Sequence, residues 1–196
     1  MVVALHLQND VLHPEGRIRV GFDARDPARA ALIEAAGRLL QAARERAWPI
    51  VHARIAFRED YADLARNMPI MRRTEQSGAV REGQWGAEFF EGLGPRAGPG
   101  EFVVTHKRVS AFAGSELEPL LRLLHGQHLI VAGVATHSAV EGTVRDAADR
   151  GFAVTVAADA CAAADRAAHA ASLASMRLIA EVQDLDEVLR AFGADG

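Results

Sequence analysis

The stretch GVATHSAVEGTVRDA, residues 133–147, follows directly on the apolar run HLIVA, residues 128–132. An unbroken apolar run giving way to helical spacing reads as a strand that feeds a helix. At such a junction the first N–H groups of the helix have no partner within it and are free to meet a ligand. A reactive side chain is expected at the turn itself. Position 139, where it should stand, is Ala139.

Moving outward, the same alternation recurs. VVALHL, PIVHARI, FVVTH, HLIVAGVA, FAVTVAA and LIAEV have the short, uniformly apolar character of strands buried on both faces. Between them lie patterns that predict helices over 27–47, 115–124, 139–150, 165–176 and 185–192, with Gly151 as the stop of the third. The alternation predicts an α/β fold: a three-layer α/β/α sandwich around a mostly parallel, Rossmann-like sheet of about five or six strands joined by right-handed crossovers. A chain of 196 residues suits a single domain over 1–196. The Ala-rich run ADACAAADRAAHAAS reads as helix. Residues 57–100 hold little periodicity beyond a short helix expected at 87–92, and a stretch of that kind reads as a lid or binding loop.

Composition narrows the partners. The formal charge is -4, which argues against a nucleic-acid surface and for a small neutral or anionic ligand. Nothing approaches the roughly 18 continuous apolar residues of a membrane span, and the N-terminal VVALHLQND lacks the basic start and small-residue cleavage site of a signal peptide. The single cysteine, Cys161, rules out an intrachain disulfide framework and fits a reducing cytoplasm.

In open α/β sheets ligands bind beyond the carboxyl ends of the strands. That rule selects residues 6–10, 54–57, 106–112 and 135–139. Taken together these ends resemble the isochorismatase-like hydrolases, also called the cysteine hydrolase superfamily. HLQNDVLHPEG is similar to the family's first-strand signature, VTHKRVSAF to the third-strand segment that carries its lysine, GVATHSAVEGTVRDA to its fourth-strand elbow, and DACAAADRAAH to the segment after the fifth strand. The resemblance covers nearly the whole chain. It implies an Asp, a Lys and a Cys that share amide hydrolysis, with elbow N–H groups holding the oxyanion.

Carried over residue by residue, the lysine falls on Lys107, the Asp on His6 and the Cys on Ala139. A methyl group forms no thioester. What the resemblance then implies is a hydrolase working by acid–base chemistry or water activation, with His6 and Lys107 as the catalytic pair, or else an inert paralogue that binds a small molecule or serves as a scaffold. His6 titrates near neutrality unless perturbed, and a neighbouring ammonium would favour its neutral form. Ser138 is displaced about 100° around the helix from position 139, so it reads as a cap rather than a substitute nucleophile. Thr136, His137, Ser138 and the N–H groups of Ala135 to Ala139 are expected to bind ligand. Arg54, Phe57 and Trp85 are candidates for substrate selection, and Arg108 for the pocket edge. His106 alternates to the other face and reads as structural, and Arg72 and Arg73 as solvated surface. Gln8 and Asp10 are expected to brace the first loop, and Gly133 to allow close backbone approach. Metal-binding relatives place an Asp-x-His after the second strand, where this chain has Arg54, Ile55 and Ala56. No metal or other cofactor is therefore expected, and the family habit suggests a homodimer or larger assembly.

Overall fold

The computed structural model describes residues 1–22 and 26–192. Residues 23–25 and 193–196 of the expected 1–196 domain lie outside the described residues. The strands are β1 (Val2–Leu5), β2 (Ile50–Ile55), β3 (Glu101–His106), β4 (His128–Val134), β5 (Ala153–Ala162) and β6 (Glu181–Gln183). They form one sheet in the order β3-β2-β1-β4-β5-β6, parallel throughout. The helices are α1 (Asn9–Leu12), α2 (Pro27–Glu45), α3 (Pro69–Ser77), α4 (Leu117–Leu123), α5 (Glu141–Asp149), α6 (Arg166–Met176) and α7 (Leu185–Ala191).

Successive side chains of a strand point to opposite faces, and the two halves of the core follow from that. Val2 and Ala4 of β1 pack with Leu32, Leu39 and Leu40 of α2 and with Leu185 of α7. Val3 and Leu5 pack on the other face with Leu117 of α4, Val144 of α5 and Met176 of α6. Each fully buried Leu or Val contributes about 1.5–3 kcal/mol relative to exposure. The helix starts follow their caps: Asp26 accepts from Ala28 N–H, Asp165 accepts from the Ala167 and Ala168 N–H groups, and Asp184 forms a capping box with Glu187.

Three local expectations are corrected. Ala158 to Ala162 belong to β5 and not to a helix, because Cys161 and Ala162 pair with Gly133 and Val134 of β4, and the pairing overrides alanine's helix preference. The helix begins only beyond the Asp165 cap. Residues 87–92 form no helix; a single 3-10 turn at Trp85–Ala87 stands there instead. The 57–100 segment carries α3, which was not foreseen, and a small core of its own in which Phe57, Tyr61, Leu64 and Met71 pack together. Pro69 at the first turn of α3 and Gly78 in a left-handed conformation just past its end (φ 67°) were the available signals.

Candidate functional site

The chain moves outward from β1 through β2 to β3, then returns to β4 beside β1. The reversal opens a crevice at the carboxyl ends of β1 and β4. Gly133 controls how closely those ends approach. Its φ is 127°, and a Cβ there would lie 2.1 Å from the Leu5 carbonyl oxygen, so only glycine lets the two backbones meet. The Val134–Ala135 peptide that follows is cis. A π-helical turn, Thr136–Val140, then leads into α5.

On the β1 side, Gln8 clamps the exit. Its amide nitrogen donates to the Ile55 and Ala87 carbonyls at 2.9 and 2.8 Å, and its oxygen accepts from Ile55 N–H at 2.9 Å. Asp10 is buried and accepts from Arg17 N–H at 3.0 Å and from Val80 N–H at 2.7 Å, tying the first loop to the end of the α3 segment. Gly86 makes room for it, since a Cβ there would lie 2.0 Å from its carboxylate.

The crevice deepens into a cavity of about 500 Å³, within the ordinary size range of small-molecule sites. Its floor is His6, Val134, Ala135 and Ala139, flanked by His137 and Ser138. Ile18 and Val20 of the first loop and Ile70, Met71 and Thr74 of α3 close the other side. The segment read as a lid therefore supplies one wall through α3.

His6 has φ 55°, a left-handed conformation uncommon for a side chain with a Cβ and costing of order 1–3 kcal/mol. The conformation is held by its N–H bonding to the Ala53 carbonyl and its carbonyl accepting from Gln8 N–H, at 2.9 and 2.8 Å. Its Nε2 lies 2.7 Å from Nε2 of His106, and the two rings are nearly parallel, at 18°, with centroids 4.8 Å apart. His106, expected to be structural and to turn to the other face, is thus the direct partner of His6.

The hydrogen-bond network assigns the tautomers. His106 Nδ1 is 3.0 Å from the Arg108 carbonyl, which can only accept, so that nitrogen carries hydrogen. In a neutral ring its Nε2 is then bare and accepts from His6 Nε2–H. That leaves His6 Nδ1 bare. Burial pushes His6 well below the usual imidazole range, the neighbouring His106 adds to this, and the Val134 carbonyl opposes it. Burial likewise brings His106 down to about 4 against the pull of the Arg108 carbonyl. Near neutral pH the pair holds two protons on four nitrogens, and burial opposes a third.

The other expected site residues divide. Ala135, His137, Ser138 and Ala139 line the cavity with His6. Lys107 does not: its ammonium pairs with Asp63. The Asp63 carboxyl, although burial opposes it, is held below the usual range by the Lys107 ammonium and the Arg58 N–H. Thr136 is fully buried and its hydroxyl meets His169 Nδ1 at 2.8 Å, bracing α6 rather than facing the cavity. Phe57 is fully buried in the small core. Trp85 is half-exposed against His13, and Arg54 binds Thr105 and Glu82. Ser138 Oγ turns back toward the Ala135 carbonyl at 3.5 Å. Cys161 is buried, burial pushing its thiol up to about 12. Arg108 lines the cavity as expected, and so does Arg73, against the expectation of solvated surface. Among the described residues no group of three or more His, Cys, Asp or Glu side chains is arranged to hold a metal ion, and no helix is long and apolar enough to cross a membrane.

Comparison with known proteins agrees with this architecture. The chain is 29% identical over 161 residues to the uncharacterized isochorismatase family protein YecD of Escherichia coli O157:H7, covering 82% of each chain. It is 28% identical over 158 residues to the ureidoacrylate amidohydrolase RutB of Azorhizobium caulinodans, covering 74% of this chain and 68% of the relative. Among solved structures, an isochorismatase family protein of Desulfovibrio vulgaris superposes with a TM-score of 0.85 at 26% identity, covering 98% of this chain and 97% of that one. The nicotinamidase PncA of Bacillus subtilis shares the fold, with a TM-score of 0.80 at 23% identity, over 93% of this chain and 98% of that one. The model of the isochorismatase domain matches residues 1–187, and the chain belongs to the isochorismatase family.

Proposed function

We propose that the protein is a hydrolase of small molecules that works without a cysteine nucleophile, using the His6–His106 pair to activate water. One observation carries the reading: at the cavity floor a methyl group, Ala139, stands beside an imidazole whose second nitrogen is already bonded to another imidazole. The chain's single thiol does not line the cavity, and its protonated form is strongly favoured by burial, which removes its nucleophilicity.

In this reading a water held beside His6 gives a proton to the bare Nδ1 as its oxygen bonds to the substrate's electrophilic carbon. A lone pair of the water oxygen forms the new C–O bond while the O–H electrons stay on that oxygen, the bond from the carbon to the leaving group breaks, and the leaving group departs with the proton that His6 returns. The positive charge that develops on His6 is met by the Val134 carbonyl, which favours the protonated ring, and is shared toward His106. The positive end of the helical run that starts at Thr136 faces the same floor and suits a developing oxyanion. Lys107, paired with Asp63, acts outside this step.

The test is turnover across a panel of small amides, enol ethers and esters. Activity should survive thiol alkylation and fall by about 10²–10⁴ in His6→Ala, the range general-base removal commonly produces. Binding without turnover across the panel would instead support an inert, ligand-binding paralogue. Assembly as a homodimer or larger oligomer and a cytoplasmic location complete the proposal, to be checked by sedimentation and by fractionation.

A further inference from the structure

The charged side chains that line the cavity are of one sign. Arg17 comes from the first loop, Arg73 from α3 and Arg108 from the loop after β3, and no Asp or Glu lines the same space. In a chain whose formal charge is -4 this is a local reversal.

Several arginines elsewhere in the chain are paired with carboxylates. Arg44 grips Glu101, Arg58 binds Asp60, Arg66 binds Glu75 and Arg145 binds Glu141. The cavity arginines have no such partner among the described residues. Arg17 donates to the Gly78 carbonyl and Arg108 to the Lys107 carbonyl, contacts that leave the charge in place. Arg73 makes no hydrogen bond or ion pair among the described residues. The guanidinium of Arg81 adds to the same field: a Cβ on Gly78 would lie 3.0 Å from Arg17 Nη1 and 3.7 Å from Arg81 Nη2, so the two heads approach one point. Like charges gathered around one hollow repel unless an anion joins them, and a guanidinium fork matches a carboxylate in shape. The remaining walls, Ile55, Ile70, Met71 and Val109 among them, suit an apolar body.

We propose that the ligand is a small carboxylic acid: an apolar body in the cavity, its carboxylate held at the rim by Arg73 and Arg108 with support from Arg17. This rests on the preceding reading only in taking the cavity as the working site. The substrate would then carry a free carboxylate in addition to the bond that is cleaved. The carboxylate would orient that bond toward His6.

Calorimetry on the full chain with benzoate and benzamide, at low salt, tests the assignment without requiring turnover. Benzoate should bind at least about tenfold more tightly than benzamide, and the preference should shrink with added salt, as an exposed ion pair demands. Arg73→Gln and Arg108→Gln together should abolish the preference while leaving the melting temperature unchanged, since both side chains are exposed. Equal affinity for the two probes, a preference that persists in the double variant, or inorganic phosphate displacing benzoate at equal concentration would each overturn the carboxylate assignment. Loss of turnover with the preference intact would overturn the catalytic reading and leave this one standing.

Discussion

The cavity has two halves made by different means. Its floor, from His6 across to Val134, Ala135 and Ala139, lies at and just beyond the ends of two adjacent parallel strands, which are held by pairing and by a buried core on both faces. The facing wall, from Ile70 to Ser77 on α3, stands on a small satellite core and a few hydrogen bonds reaching from Asp10 and Arg17. The floor's geometry is set by the fold's main energy source. The wall's depends on a handful of contacts, so it is the part of the cavity that can change at least cost.

The contrast can be broken at three points. At the floor, Gly133→Ala should be the most damaging single change, because the added methyl meets the Leu5 backbone and the conformation is denied to a side chain. A loss of at least about 3 kcal/mol in urea unfolding is expected. A near-neutral result would mean that β1 and β4 are not packed as tightly as described. On the tie between the halves, Asp10→Ala leaves the Arg17 and Val80 N–H groups without their acceptor. The expected cost is about 1–3 kcal/mol, with hydrogen exchange accelerated in 69–80 and not in β1 or β4. Uniform acceleration would erase the distinction between the two halves. Lys107→Ala should have the smallest effect, within about 1 kcal/mol, because its pair with Asp63 is partly exposed and solvent-screened. Its activity should stay close to that of the unaltered protein, and a loss comparable to that of His6→Ala would return Lys107 to the catalytic pair.

The floor was legible in the sequence and most of the wall was not. Apolar runs of strand length, together with the rule that ligands sit at strand ends, select the segments 6–10 and 135–139, since strand ends are local features, and the family resemblance then points to His6 and Ala139 within them. The choice between His106 and Lys107 was harder. Two polar residues in succession at the end of a strand point in opposite directions, and which one faces the site depends on where the strand stops, a boundary that pattern alone locates poorly. β3 runs through His106, so the imidazole meets His6 while the next side chain turns outward to Asp63. The α3 wall was missed because its apolar residues, Ile70 and Met71, are few and its stability comes from distant partners that no short window contains.

The two imidazoles also set a pH window. Each has a folded value depressed by burial, so the unfolded chain binds protons more readily below its ordinary value near 6.5. The stability they confer is complete above that point and is lost as pH falls through the folded values, about 4 for His106. The most direct measurement of the central claim is nitrogen-15 NMR of the histidine side chains as pH is lowered from 8. His6 and His106 should remain neutral near pH 6.5, with His106 protonated on Nδ1 and His6 on Nε2, and replacing His106 by Gln should shift the His6 signals. Independent titration of His6 at an ordinary imidazole value, unaffected by His106→Gln, would contradict that claim.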